Sequence, residues 1–226
     1  MTQAMTARKY LKAGIPAVST LDAPGWALDE MRRLQCSFFP VFDEDDRYAG
    51  VTSSWDLERH LAEGQAEIAP LAETRNLRIG ADRHIFDALA AAVRSGIPFV
   101  PVFDEQTDAY EGAVTAEGFV QCLADVLAHD DPGTLVVVRS LRRDYTLTRL
   151  VSIIESHGGK VLYVHLAPSD DINELFVYIK FTHADADVVL MSFDRFGIEV
   201  DFILSDEGQK RRSRDHYDAL MRYLEV

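Results

Sequence analysis

The side chains best placed to do chemistry are Ser53 and Asp56, a hydroxyl and a carboxylate in the run Gly50-Val51-Thr52-Ser53-Ser54-Trp55-Asp56. An apolar run leads into them and an amphipathic pattern follows, so the spacing predicts a strand that passes directly into a helix at this point. At such a junction the hydroxyl accepts a first-turn N–H and the acid is favoured by the positive helix end. The same end is a ready place for an anion, so capping and ligand binding are compatible roles for one pair. An incomplete copy lies downstream, where Gly112 and Thr115 recur and Gly118 stands at the position of the acid. Hydrogen bonds to charged groups are worth roughly 1.5 to 3 kcal/mol. The loss of the carboxylate therefore predicts one good site and one degenerate or empty one.

Other chemistries find little support. The histidines, His60, His84, His129, His157, His165, His183 and His216, are scattered with no i, i+4 pair and no cysteine companion, which argues against a metal. Cys36 and Cys122 show no pattern of a disulfide frame or a zinc site. No Gly-x-Ser-x-Gly, His-Glu-x-x-His, phosphate-loop lysine or paired-cysteine motif occurs. The expectation is a non-catalytic protein that requires no cofactor and no metal.

The elements that must position Ser53 and Asp56 occur twice. Phe38-Phe39-Pro40-Val41-Phe42-Asp43-Glu44 returns as Phe99-Val100-Pro101-Val102-Phe103-Asp104-Glu105, so one supersecondary unit is repeated in tandem. In each copy an apolar run ends in an acidic turn and a second apolar run follows, which reads as a β-hairpin. Before the first hairpin, Ala17 to Leu21 reads as a short strand, and Asp22 with Pro24 opens a helix whose apolar stripe holds Ala27, Met31 and Leu34. In the second copy Leu77 to Ile79 opens the unit, and an alanine-rich helix from Ile85 ends at Ser95-Gly96, the glycine suiting a left-handed cap. The closing helix carries Phe119, Cys122, Leu123, Val126 and Leu127, expected on one face. Residues 1–16, with Arg8, Lys9 and Lys12, read as a lead-in to the first unit.

The pattern apolar-Pro-Val-apolar-Asp, then Gly-apolar-apolar-(Ser/Thr)-x-x-Asp, resembles the cystathionine-β-synthase (CBS) domain, whose tandem pair is called a Bateman module. The resemblance implies that clefts between the repeats bind an adenine nucleotide such as AMP, ADP or ATP, with Ser53 and Asp56 on its phosphate and ribose. By the same analogy Ser19, Thr20, Phe38, Phe39 and Pro40 complete the first site, and Thr115, Val100 and Pro101 belong to the second, degenerate one. As ordinary residues most of these are strand or core positions.

His129-Asp130-Asp131-Pro132-Gly133 marks a boundary, after which the rhythm changes to βαββαβ. Strands are expected over 134–139, 160–167, 173–182 and 198–204, with helices over 146–157 and 185–196; Leu147, Leu150, Val151 and Ile154 form the buried face of the first helix. This is a ferredoxin-like order. With Leu147-x-x-Leu150-Val151-x-x-Ile154-x-x-x-Gly158 running into Val161, it resembles the ACT domain, a regulatory module that commonly binds amino acids and dimerises. The turn Leu141-Arg142-Arg143-Asp144-Tyr145-Thr146 lacks the glycine usual there, so packing or dimerisation is the safer role. The order of the two parts is similar to that of the bacterial acetoin-utilisation regulator family. Beyond it, Tyr217, Leu220, Met221 and Leu224 predict a C-terminal amphipathic helix within 205–226.

The fold class expected is α+β: two βαββα repeats in one module over 1–130, divided at about 65, then a ferredoxin-like domain over 134–204 and the terminal helix. Net charge is −14, of which residues 1–130 carry −10, so nucleic acid is not an expected partner. No apolar run approaches the roughly 20 residues that span a bilayer, and the expected compartment is the cytoplasm. The expected partners are a small nucleotide, a second copy of the chain and a regulated protein. The expected function is a nucleotide sensor that relays through a dimerising module; the alternative is a constitutive scaffold without a small-molecule ligand.

Overall fold

The computed structural model describes residues 5–71 and 74–205 and divides the chain into two compact units between Leu123 and Ala124. The terminal helix expected within 205–226 lies outside the described residues from 206 onward.

In the first unit the tandem repeat becomes two βαββ(α) blocks. The first comprises β2 (Val18–Ser19), α2 (Pro24–Leu34), β3 (Phe38–Phe42), β4 (Tyr48–Ser53) and α3 (Ser54–Ala62). The second comprises β5 (Ile79–Gly80), α4 (Ile85–Ser95), β6 (Phe99–Phe103), β7 (Tyr110–Thr115) and α5 (Ala116–Val126). Each hairpin carries a parallel strand on its outer side, β2 on β3 and β5 on β6. The hairpin registers coincide: Phe38 faces Ser53 and Phe99 faces Thr115, with an irregularity before Phe42 and before Phe103.

Local chemistry explains the helix ends. Pro24 occupies the start of α2, where its missing N–H costs nothing. His84 caps α4 through Nδ1, which accepts from the Phe86 N–H at 3.2 Å, and Gly96 closes that helix at φ 70°. The stripe on α2 holds: Ala27 and Met31 are buried and Leu34 packs against the core. That on α5 holds only in part, because Cys122 is buried but Leu123 is 56% exposed.

The expectation for the lead-in is corrected. Residues 5–12 pair with the second repeat. After α1 (Ala7–Tyr10), strand β1 (Leu11–Lys12) pairs antiparallel with β7, Leu11 facing Val114. The Ala7 N–H bonds the Arg83 carbonyl at 2.8 Å and the Arg8 N–H bonds that of Ala81 at 2.9 Å. The Arg8 guanidinium meets Glu111 at 2.5 Å and Asp82 at 3.3 Å. The linker treats the first repeat in like fashion, since the Leu71 N–H bonds the Val51 carbonyl and the Thr74 hydroxyl accepts from the Val51 N–H at 3.0 Å. Each hairpin is thus flanked by the segment that precedes the other repeat's strand. Gly50 and Gly112 permit this approach: at φ 146° and 147°, a Cβ would meet Thr74 Oγ1 at 2.5 Å and the Lys12 carbonyl at 2.6 Å.

The repeats meet along β3 and β6. Phe38 stacks on Phe99 at 6.0 Å, and one strand length further on Phe42, Tyr48, Phe103 and Tyr110 form a cluster with centroids 5.3 to 6.3 Å apart. Phe38–Phe99 and Phe42–Phe103 join equivalent positions of the two copies.

The second unit holds β8 (Thr134–Leu141), α6 (Leu147–Ser156), β9 (Lys160–Pro168), β10 (Glu174–Thr182), α7 (Ala186–Arg195) and β11 (Glu199–Ser205). Its antiparallel sheet runs β11-β8-β10-β9, the ferredoxin-like order. Alternate residues Val136 and Val138 of β8 and Leu175, Val177, Ile179 and Phe181 of β10 pack against Ile153, Ile154, Leu190 and Phe193 of the helices. The stripe on α6 is shifted from that expected: Leu147 is exposed and Ile153 takes its place in the core. Among the described residues no helix is long and apolar enough to cross a membrane, and no group of three His, Cys, Asp or Glu side chains could hold a metal.

Candidate functional site

The site grows from the junction of β4 and α3. Ser53 remains extended at φ −113° and its Oγ accepts from the Asp56 N–H at 3.1 Å, so the hydroxyl caps the helix. The Ser53 hydroxyl in turn donates to Asp56 Oδ2, and Arg59 Nη2 donates to Asp56 Oδ1 at 2.9 Å. The carboxylate is only 7% exposed, whereas Arg59 is half exposed and lies 5.3 Å from the Trp55 ring centroid. A buried carboxyl is thereby held at the positive end of α3, and both its oxygens are engaged.

The remaining residues of the first site fall into two places. Register sets Ser53 beside Phe38 and Ser19 beside Phe42, which puts Ser53 and Ser19 on opposite sides of β3 and at its opposite ends, about 13 Å apart along the strand at about 3.3 Å per residue. That is a ligand's length, beyond the reach of a single side chain. Ser19 is already part of a turn: its N–H donates to Asp22 Oδ2 at 2.7 Å and its Oγ accepts from Leu21 N–H at 3.2 Å. Thr20 is half-buried, its N–H bonded to the Phe42 carbonyl and its carbonyl to the Ile68 N–H. Phe38 is half-buried at the contact between repeats, but Phe39 and Pro40 are buried, and Phe39 fills the core. Expecting Phe39 to line a cleft is therefore corrected to a packing role; alternation along the strand turns it inward.

The second copy is built differently. Thr115 Oγ1 donates to Glu117 Oε2 at 2.5 Å, an acid one position earlier than in the first copy. This hydrogen bond is the main cause that holds the Glu117 carboxyl below its usual range. At Gly118 a Cβ would collide with the Tyr10 carbonyl oxygen and meet Val114 Cγ1 at 3.2 Å. The glycine is the space in which the lead-in lies, so an aspartate there is sterically excluded. Val100 is fully buried in the core and Pro101 is buried, again packing positions.

In the second unit the turn after β8 opens a cavity of ≈ 260 Å³ lined by Arg139, Tyr145, Arg149, Glu174 and Glu199 among others. Arg139 bonds Asp201 at 2.7 Å, yet its buried Nε has no partner among the described residues. The consecutive arginines noted in the sequence are placed elsewhere: Arg142 bonds the Ile172 carbonyl and Arg143 is 82% exposed.

Sequence reasoning overlooked Arg59 and assigned the lead-in to the first repeat. Arg59 was legible as an oppositely charged i, i+3 neighbour of Asp56 on a helix. The lead-in left no local signal, because its partner lies about a hundred residues away in the chain.

Comparison with known proteins adds one family. The family model of the CBS domain matches residues 15–63, a stretch that runs from before Ser19 to beyond Asp56. No curated protein matches the chain. Among solved structures, the chain is similar to a CBS domain pair/ACT domain protein from Thermotoga maritima, with 22% identity, 54% of this chain and 99% of that chain covered, and a TM-score of 0.43. It is also similar to Hypoxic Response Protein I with two coordinated zinc ions, at 24% identity, 51% and 97% coverage and a TM-score of 0.42. A third is the CBS domain pair of protein MJ0100 in complex with 5'-methylthioadenosine and S-adenosyl-L-methionine, at 21% identity, 52% and 98% coverage and a TM-score of 0.44. At these identities and scores the functional reading rests on the geometry and on the match over 15–63.

Proposed function

We propose that the chain is a non-catalytic regulatory protein whose first unit binds one adenine nucleotide (AMP, ADP or ATP) through Ser53 and Asp56. In this reading the ribose bonds the Asp56 carboxylate and the phosphate approaches the first turn of α3, with Phe38 beside Ser53 and Ser19 and Thr20 bounding the other end of the ligand. The single observation that carries it is the buried Asp56 carboxylate at the helix start, inside the stretch that matches the CBS family. Thr115 has no counterpart acid at position 118, so the expected stoichiometry is one per chain. The ferredoxin-like unit is proposed as an ACT-like module over 134–204 that pairs two chains and passes the signal to a regulated protein. The ligand can bias the arrangement only by its difference in affinity for the two states.

Isothermal titration of the full chain with AMP, ATP, NADH and S-adenosylmethionine, beside Asp56→Ala, tests this. Uptake of an adenine ligand near one equivalent, lost in the variant, is the expected result; no uptake by ligand-free protein defeats it. A specific observation favours the alternative, a constitutive scaffold: both Asp56 oxygens already have internal partners, and the second copy is filled by the chain's own lead-in.

A further inference from the structure

We infer that Arg59 is an internal competitor for the ligand at Asp56, and that it makes the site select phosphate-bearing adenine ligands over uncharged nucleosides. The inference rests on the reading of Ser53 and Asp56 as the nucleotide site. It starts from the way the carboxylate is occupied. Asp56 is 7% exposed, with Oδ2 taken by the Ser53 hydroxyl and Oδ1 by Arg59 Nη2 at 2.9 Å. A carboxylate can accept more bonds than these two, but burial limits the directions from which a ligand can arrive. The bond from Ser53 belongs to the cap that also holds the Asp56 N–H, so losing it would loosen the start of α3. Arg59 is the partner that can leave. Its side chain is 49% exposed, its pair with Asp56 is an i, i+3 contact, and the Trp55 ring 5.3 Å away gives the guanidinium a second resting place. A diol that reaches Asp56 therefore displaces Arg59.

The displaced charge remains beside the site, because the Arg59 backbone is fixed one turn along α3. A nucleoside leaves that guanidinium without an anion. A nucleotide restores one, since a phosphate matches the guanidinium fork and accepts charge-assisted hydrogen bonds from it. Arg59 thus opposes every ligand at the ribose and favours only those that carry phosphate.

The test is titration of adenosine and AMP into the full-length wild type, Arg59→Ala and Asp56→Ala. Arg59→Ala is expected to tighten adenosine by about fivefold, the scale of a partly exposed ion pair, and to leave AMP unchanged or weaker, so that the preference for AMP collapses. A second readout uses Trp55 emission in a Trp26→Phe background: AMP should change it in the parent and not in Arg59→Ala. An unchanged AMP-to-adenosine ratio, with binding still abolished by Asp56→Ala, overturns the role of Arg59 and leaves the site intact. Binding that is indifferent to Asp56→Ala, or absent from both wild type and Arg59→Ala, overturns the site and this inference together.

Discussion

Gly118 shows how one missing side chain can record a packing demand. An alanine in a helix is normally worth up to about 1 kcal/mol over glycine, yet here its Cβ would strike the Tyr10 carbonyl oxygen. Gly118→Ala should therefore lower stability by about 1–3 kcal/mol, the usual cost of overpacking, as read from the urea midpoint; a stabilised variant would mean that the lead-in does not lie there. Its neighbour Glu117 makes a pH-dependent contribution. The Thr115 hydroxyl holds this carboxyl below its ordinary value, so the folded state gains stability above the unfolded pKa of about 4.3. That gain is lost as pH falls through the lowered folded value. Glu117→Gln should thus be less stable than wild type at pH 7, by under about 1 kcal/mol, and the two should converge below pH 4. A gap that persists in acid would show that the carboxylate is not its source.

At the scale of elements, two equivalent tyrosines in the repeats make a controlled comparison. Tyr48 on β4 donates its hydroxyl to the Leu77 carbonyl at 2.7 Å, whereas the buried Tyr110 hydroxyl on β7 has no partner among the described residues. Burial pushes both phenols upward. Removing one partner of a made hydrogen bond leaves the other unsatisfied, while removing an unpartnered hydroxyl relieves a desolvation cost. Tyr48→Phe should lower the melting temperature by an amount equivalent to about 1 kcal/mol, and Tyr110→Phe should leave it equal or raise it. Equal losses in both would refute the difference in bonding. The lead-in is the other element with a measurable role: deleting residues 1–12 uncovers the edge of β7 that Leu11 and Lys12 now pair. An open strand edge invites association, so the truncated chain should be less stable and more prone to aggregate by light scattering.

For the whole molecule, a ligand that binds only the folded first unit stabilises it by mass action, about 2.7 kcal/mol at a hundredfold excess over Kd. The melting of that unit should rise with AMP concentration, and Asp56→Ala should abolish the rise; a nucleotide-insensitive melt would move the scaffold reading ahead. The sequence by itself determined the repeat, the two hairpins and the ferredoxin-like order of the second unit. These follow from local rules, namely period-two alternation, helical stripes and turn chemistry, which act within a few residues. The tertiary structure alone decided that residues 5–12 serve the second repeat, that Gly118 is space for Tyr10, that Phe39 and Val100 face inward, and that Ile153 displaces Leu147 from the core. A two-residue strand has no period to read, and which face of a helix is covered depends on what arrives from distant sequence. Contacts of that kind are chosen by packing, after the local pattern has already been satisfied.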